Sequence, residues 1–242
     1  MKLLIQFPTL ARPEKFLQVL NRYVETCSVW NNVFFNINCD AEDETMTDPY
    51  VQERINYILN KNRPRFPNMN VDGAINYDYG TDKISAINAN INDRDFDIII
   101  CASDDMVPQV YNWDREISDA MQEHFPDLDG CVHFDDGNTH GELITFSILG
   151  RKLYERFGYI YHPDYKSLYC DDEFTQVVKR MGKEKYVDKV IITHEHYSVE
   201  GTQNEGEVDL AARKTLHYSG RDHLVFNKRK ELGFPANRIT ED

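Results

Sequence analysis

The chain has 242 residues, enough for one large domain or two small ones with a substantial core, and a formal net charge of −14. This acidic balance argues against a nucleic-acid polymer as a partner, because phosphate backbones are bound by clustered Lys and Arg side chains, whereas a single nucleotide needs only a few local donors. No run approaches the roughly 20 apolar residues of a transmembrane segment, and the apolar start of the chain is too short for a signal peptide.

Strand-like and helix-like segments alternate along the first hundred residues, which is typical of an α/β sheet. Pro13 is expected in the first turn of a helix, and Asp48 before Pro49 has the pattern of a helix cap. Residues 96–101 form an isoleucine-rich run, as in a strand buried on both faces of a sheet. The predicted elements of this half are strands at 2–7, 33–38, 70–76 and 96–101, with helices beginning near residues 13, 49 and 84.

The pattern is less regular beyond residue 105, and the last forty or so residues are polar with little core of their own. We therefore predict one domain at residues 1–200, on which residues 201–242 pack as a peripheral segment. The five cysteines include no CxxC pair and lie mostly in or beside apolar segments, which indicates reduced thiols in a cytoplasmic protein. The predicted elements here are helices near 117–121 and at 151–157, 174–181 and 222–232, with strands at 131–134, 143–149 and 189–193.

Two adjacent acids, Asp104 and Asp105, follow the apolar strand at 96–101. Such a strand ends at the carboxyl edge of the sheet, where open α/β folds bind their ligands. Neighbouring carboxylates repel each other in a dry site, and a divalent cation such as Mg²⁺ or Mn²⁺ relieves this repulsion. A solvated loop with two ordinary surface aspartates is the alternative interpretation.

Other polar side chains are expected at the same edge of the sheet. Arg12 and Lys83 could bind a diphosphate through charge-assisted hydrogen bonds, although each could also be a surface residue. Asp40 follows the second strand and could accept a hydrogen bond from a nucleobase or a ribose hydroxyl; a helix cap or a solvated acid is its alternative. The four loops that should meet there are residues 8–12, 40–43, 77–83 and 103–105.

A second acidic run, Asp171-Asp172-Glu173, precedes an apolar helix face. Acids in the first turn of a helix complement the helix dipole, so a structural role is one interpretation. In a crevice, one of these carboxylates could instead act as a general base towards an acceptor hydroxyl.

These motifs, in this order and with roughly this spacing, resemble GT-A-type, family-two-like glycosyltransferases over about residues 1 to 200. Ser103 stands where the D-x-D motif of that family usually begins with an acid. Asp40 falls where the family has an acid that recognises the nucleotide base. The motifs that carry the resemblance are Pro8-Thr9-Leu10-Ala11-Arg12-Pro13, Asp40, residues 80–88 with Lys83, Ser103-Asp104-Asp105 and Asp171-Asp172-Glu173.

The resemblance implies a GT-A-like single domain with a central, mostly parallel mixed β-sheet, flanking helices and a Rossmann-like N-terminal half that binds the nucleotide. It also implies metal-dependent transfer of a sugar, in the hexosyltransferase class, from a UDP- or GDP-sugar to a hydroxyl of a glycan or another acceptor. Asp105 would bind Mn²⁺ or Mg²⁺; because Ser103 replaces the first acid, Asp104 could be the main ligand instead, and Ser103 could take the ribose role. Asp172, or else Asp171, would be the general base of an inverting displacement. The donor-binding residues would be Pro8, Thr9, Arg12, Asp40, Lys83, Ser103 and Asp104.

A histidine pair, His194 and His196, follows the last predicted strand and would lie on one side of it. A downstream histidine completes the cation site or contacts the diphosphate in some GT-A enzymes, and we expect His196 in that position. Surface histidines and a two-histidine zinc site are the alternatives, the latter without a further clean set of His or Cys ligands.

Two other functions are compatible with the motifs. A sugar-phosphate nucleotidyltransferase shares a similar sheet, but the loop at 7–12 has no glycine, which a backbone that approaches phosphates closely generally needs. Ser103 in place of an acid is compatible with a catalytically silent nucleotide-binding protein of the same fold.

Overall fold

The computed structural model describes residues 1–61, 70–80, 82–195 and 210–236. The strands are β1 (Lys2–Thr9), β2 (Asn32–Asp40), β3 (Asn70–Asp78), β4 (Ile98–Cys101), β5 (Met106–Pro108), β6 (Cys131–Asp135), β7 (Ile148–Gly150), β8 (Glu184–Val190) and β9 (Ile192–His194). The helices are α1 (Pro13–Thr26), α2 (Pro49–Asn60), α3 (Lys83–Asn88), α4 (Trp113–His124), α5 (Arg151–Phe157), α6 (Cys170–Met181) and α7 (Leu210–Glu231).

Seven strands form the central sheet in the order β3-β2-β1-β4-β7-β6-β8. The first four are parallel, β7 is antiparallel to both of its neighbours, and β8 is parallel to β6. This is the mostly parallel mixed sheet with flanking helices that was predicted. The carboxyl ends of β1, β2, β3 and β4 therefore lie along one edge, where the loops that follow them are neighbours.

Side chains of the central strands alternate between two apolar clusters, one on each face of the sheet. Ile98 and Ile100 of β4 pack in the cluster that includes residues of α1, α2 and α4. Ile99 and Cys101 pack in the other cluster, with residues of α3, α5, α6 and Val225 of α7. Burial on both faces explains the continuous apolar run of β4 in the sequence. None of the described helices could cross a lipid bilayer, by length and apolarity together.

Several boundaries differ from those predicted. The predicted strand at 143–149 is shorter in the structure, because only its last residues pair in the sheet, as part of β7. The predicted strand at 189–193 is divided at Ile191: the residues before it belong to β8 of the central sheet, and those after it belong to β9, which pairs with β5 in a two-stranded sheet. Helix α7 begins twelve residues before the predicted start at residue 222, because the described side chains of its first half are exposed or half-buried and form no regular apolar stripe.

Candidate active site

The loop after β1 is tied to the loop after β2 by Asp43. The backbone of Ala11 has a φ of 54°, and its N–H donates to Oδ2 of Asp43 over 2.6 Å. The other carboxylate oxygen of Asp43 accepts from the backbone N–H of Thr45 and of Met46. The buried Asp43 thereby fixes the segment that presents Arg12 at the edge of the sheet.

Arg12 forms an ion pair with Asp104, the first acid after β4. Nη1 of Arg12 lies 3.1 Å from Oδ1 of Asp104, which is only 6% exposed. Burial raises the pKa of Asp104, Arg12 opposes this effect, and the neighbouring carboxylate of Asp105 adds to it. Asp104 and Arg12 thus form a unit that joins the loops after β1 and β4.

Asp105 faces a different set of partners. Ser103 donates its hydroxyl to Oδ1 of Asp105, and Nε2 of His194 lies 3.5 Å from the same oxygen. The pairing of β5 with β9 sets this distance, because it places His194 opposite Met106, the residue after Asp105. Burial opposes ionisation of Asp105, but the contacts with His194 and Ser103 outweigh it and hold the pKa well below the ordinary value of an aspartate.

Lys83 is the first residue of α3 and is exposed to solvent. Asp82 caps this helix: its carboxylate accepts from the backbone N–H and the hydroxyl of Ser85, each over 2.8 Å. Nearby protein atoms disfavour a charge on Lys83, but the interactions with Cys170, Asp105 and Asp171 outweigh this effect and raise its pKa. Lys83 therefore interacts electrostatically with both acidic motifs.

Asp171 and Asp172 lie half-buried in the first turn of α6, after Tyr169, whose backbone has a φ of 63°. The backbone N–H of Asp172 donates to Oδ1 of Asp171 over 3.1 Å. Burial raises the pKa of Asp172, the negative charge of Asp171 adds to this shift, and Lys230 of α7 opposes it. A carboxylate with a raised pKa is a better proton acceptor than an ordinary aspartate.

The third acid of the run is bound by protein. Nε and Nη2 of Arg229 donate to the two carboxylate oxygens of Glu173 over 2.7 and 2.8 Å, and the hydroxyl of Tyr165 donates to Oε2 over 2.7 Å. Glu173 is therefore a structural residue, and Asp171 and Asp172 are the carboxylates of this motif that are half-exposed.

Asp40 lies at the end of β2 and is buried. Its carboxylate accepts from the backbone N–H of Glu42 over 3.0 Å and lies 3.2 Å from Nζ of Lys214 in α7. Pro8 and Thr9 pair with Asn38 and Cys39 of β2 in the parallel register, which places the end of β1 directly beside the end of β2. The structure thus brings Pro8, Thr9 and Asp40 to the same edge.

The histidine region is described only in part. His196 lies outside the described residues, whereas His194 is next to Asp105. The strand that contains His194 is held by the loop after β6: the backbone N–H of His194 donates to the carbonyl of Asp136 over 3.0 Å, and Nδ2 of Asn138 donates to the carbonyl of His194 over 2.6 Å. In the same loop, the carboxylate of Asp135 lies 3.0 Å from Nδ1 of His140.

Asp105 and His194 fit a divalent cation that is shared with a ligand. In the described part of the chain, no three His, Cys, Asp or Glu side chains are grouped to hold an ion by themselves. Mg²⁺, however, is usually bound by one or two carboxylates together with substrate phosphates and water, and carboxylates suit Mn²⁺ as well. The low pKa of Asp105 keeps its carboxylate ionised for this purpose.

Three residues of this region were missed by reasoning on the sequence. Asp82 has a detectable signal, because an aspartate three residues before Ser85 has the pattern of a helix cap. Lys214 and Arg229 have none, since their partners Asp40 and Glu173 are 174 and 56 residues away in the chain.

No family model and no curated protein matches the sequence. Solved structures do match its fold. The mannosyltransferase PcManGT from Pyrobaculum calidifontis, in complex with GDP-Man and Mn²⁺, has a TM-score of 0.62 and 13% sequence identity, with 96% of this chain and 64% of that chain covered. TarS residues 1–349 from S. aureus, in complex with UDP-GlcNAc, have a TM-score of 0.57 and 15% identity, with coverage of 86% and 62%.

A longer TarS structure from S. aureus has a TM-score of 0.56 at 13% identity, with 81% of this chain and 37% of that chain covered. The chain therefore spans less than two thirds of the length of these three structures. Its fold is that of the GT-A-like glycosyltransferases, as the sequence motifs predicted.

Proposed function

We propose that the protein is a metal-dependent glycosyltransferase, which transfers a sugar from a nucleoside-diphosphate sugar to an acceptor hydroxyl. The observations that carry this proposal are that Asp105 and Asp171, one from each acidic motif, both raise the pKa of Lys83, and that Nε2 of His194 lies 3.5 Å from Asp105. A diphosphate bound beside Lys83 would thus have a cation site next to it, and carboxylates of α6 within the same crevice.

The donor would bind along the ends of β1, β2 and β4. Arg12 and Lys83 supply the positive charges for the diphosphate, and Asp40 supplies an acceptor for the nucleobase or the ribose. Pro8, Thr9, Ser103 and Asp104 complete the walls of this part. We infer a UDP- or GDP-sugar as the donor, because the neighbours in fold were solved with GDP-Man and with UDP-GlcNAc.

Asp105 and His194 would hold the cation, most readily Mn²⁺, and His196 stays a candidate for the same site. When bound, the cation neutralises the charge that develops on the departing diphosphate. Ser103 orients the Asp105 carboxylate through its hydrogen bond, and the pairing of β5 with β9 keeps His194 at a fixed distance from it.

Asp172 would act as the general base. Its half-buried position beside Asp171 raises its pKa, so that the carboxylate accepts a proton from the acceptor hydroxyl more readily. A base that activates the acceptor directly favours a single displacement with inversion at the anomeric carbon.

The five cysteines form no disulfide and are all buried, which supports a reducing, cytoplasmic environment for this reaction.

The test is release of nucleoside diphosphate from a panel of UDP- and GDP-sugars, measured with Mn²⁺ and again after chelation. We expect turnover with one or a few donors and loss of it on chelation. The variants Asp105→Asn and Asp95→Asn form a matched pair, because Asp105 and the exposed Asp95 lie near opposite ends of β4. Only Asp105→Asn should abolish turnover.

Two results would overturn the proposal. Pyrophosphate release from a nucleoside triphosphate and a sugar phosphate would identify a nucleotidyltransferase instead. Tight binding of a nucleoside diphosphate, without hydrolysis or transfer to any acceptor in a broad panel of sugars, would identify a silent nucleotide-binding protein.

A further inference from the structure

Helix α7 contains a fully buried arginine with two carboxylate partners. Arg229 is 0% exposed, and it binds Glu173 through two hydrogen bonds and Asp164 through a third, of 2.8 Å. Burial of three charged groups is costly, and removal of one partner leaves the others uncompensated. An arrangement of this kind fixes the direction of each side chain, because the planar guanidinium donates its hydrogen bonds in a few fixed directions.

The same helix is attached to the segment that precedes α6. Asp222 of α7 is fully buried, and its carboxylate accepts from the backbone N–H groups of Lys166, Ser167 and Leu168 over 2.7 to 3.2 Å. The chain then reaches α6 at Cys170. Helix α7 thus holds the start of α6 from both sides: Asp222 binds the preceding backbone, and Arg229 binds Glu173.

Asp171 and Asp172 lie between these two points of attachment. Asp172 is adjacent in sequence to Glu173, so the position of its carboxylate depends on the turn that Arg229 fixes. The residue after Arg229, Lys230, is exposed, and its Nζ lies 5.7 Å from the centroid of the Phe226 ring, which packs against the ring of Tyr169, the residue before α6. This contact brings the charge of Lys230 to the start of α6, and Asp171 and Lys230 are the charged groups that shift the pKa of Asp172.

We propose that α7 is part of the active site: Arg229 is a positioning residue that orients the general base Asp172 through Glu173, and Lys230 is the positive charge beside that base. The assignment rests on the proposed function, because it takes Asp172 as the base. It gives the C-terminal helix a part in catalysis that its polar sequence did not indicate. Lys230 lowers the pKa of Asp172 and so counters the effects of burial and of Asp171.

The first experiment measures turnover as a function of pH for Lys230→Met and for Lys228→Met, an exposed lysine of the same helix. Loss of the Lys230 charge raises the pKa of the base, so the acidic limb of kcat should move to higher pH by about half a unit, the size expected for one exposed charge. Lys228→Met should leave the limb in place. Equal profiles for the two variants would overturn the assignment of Lys230.

The second experiment uses Arg229→Lys, which keeps the charge but loses the two-pronged contact with Glu173. We expect kcat to fall about 10- to 100-fold, with KM for the donor changed less than about twofold, because misplacement of a base affects the chemical step. Circular dichroism shows whether the variant folds. A folded variant with the kcat of the wild type would overturn the positioning role of Arg229.

A third measurement does not depend on turnover. The pKa of Asp172 can be followed by the carbon chemical shift of its carboxyl group in the wild type, in Lys230→Met and in Lys228→Met. We expect a higher value only in Lys230→Met. Should the wild type release no nucleotide from any donor, the proposed function fails while this shift still tests α7; an unchanged Asp172 pKa in Lys230→Met overturns the electrostatic part of the inference.

Discussion

The two acidic motifs of this protein are the loop after β4 and the first turn of α6, and their carboxylates are arranged in the same way. Each contains one carboxylate bound to a distant arginine, Asp104 to Arg12 and Glu173 to Arg229. In each, a neighbouring carboxylate, Asp105 or Asp172, is half-buried instead of buried. The arginine thus binds the more buried acid of each motif, and the more accessible acid is the one to which we assign a role in the reaction.

The two pairs differ in how far they are closed to solvent. The side chain of Arg12 is 20% exposed and lies at the edge of the sheet, whereas that of Arg229, a residue of α7, is fully buried. Arg12 can therefore contact a ligand as well as Asp104, while Arg229 contacts only protein. We therefore assign Arg12 to ligand binding and Arg229 to holding the position of Glu173.

The largest effect is expected for the carboxylate that faces the cation site. Asp105→Asn should lower kcat by about 10³-fold, because it removes a charged ligand of the ion that stabilises the departing diphosphate. Nucleotide release with saturating Mn²⁺ measures this loss. Asp104→Asn should cost less, since Asp104 acts through Arg12; equal losses in the two variants would contradict the division within this motif.

The corresponding change in the second motif is Asp172→Asn. We expect kcat to fall about 10²-fold, with donor affinity retained, because the variant lacks the proposed general base but keeps the proposed diphosphate site. Calorimetric titration with the nucleoside diphosphate provides the control.

A charge change beside this base tests its environment. Asp171 raises the pKa of Asp172, so Asp171→Asn should lower it and move the acidic limb of kcat to lower pH. The base form is lost as the pH falls through the pKa of Asp172, and the wild type should lose activity at a higher pH than an ordinary aspartate would. A limb that does not move in Asp171→Asn would mean that another group titrates.

The two arginines can be compared by stability. Arg229→Met should lower the free energy of unfolding by about 3–5 kcal/mol, because it leaves buried carboxylates without a partner. Arg12→Met should cost about 1–3 kcal/mol, since its side chain is partly solvated, and the loss should shrink in the double variant with Asp104→Asn. Urea unfolding gives the free energy of unfolding of the wild type, of the three single variants Arg229→Met, Arg12→Met and Asp104→Asn, and of the double variant. A larger loss for Arg12→Met than for Arg229→Met would contradict the comparison.

The smallest effect on activity is expected at an acid outside the crevice. Asp129 binds Arg156 and Lys183, and these hydrogen bonds, which outweigh burial, hold its pKa well below the ordinary value. Asp129→Asn should leave kcat unchanged and lower the stability at pH 7 by about 1–2 kcal/mol.

The pH dependence of this stability has a definite sign. Because the pKa of Asp129 is lower in the folded chain, its contribution is complete above the pKa of the unfolded chain, near 4, and is lost as the pH falls towards the folded value. The difference in stability between wild type and Asp129→Asn should therefore disappear in strong acid. A difference that is constant down to pH 2 would contradict this assignment.

Much of the N-terminal half of the protein was predictable from local patterns. The strands β1, β2, β3 and β4 were predicted to within a few residues, and Asp48 caps α2 as its position before Pro49 indicated. These elements have continuous apolar runs or caps that act within a few residues, so that the sequence carries the signal. The first half of helix α7 and the division between β8 and β9 were not predicted, because the former has no apolar stripe and the latter depends on strands far away in the chain.

The sequence by itself determined which residue types stand at the carboxyl edge of the sheet, since the order of strands and acidic loops fixes that from local signals alone. Tertiary structure decided what each of those residues does. From residue type alone, Asp104 and Asp105 are equal candidates for a cation ligand; Arg12 and His194 separate them, across 92 residues in one case and through the pairing of β5 with β9 in the other. The physical reason is that charge and hydrogen-bond partners, not residue type, set the ionisation and direction of a carboxylate.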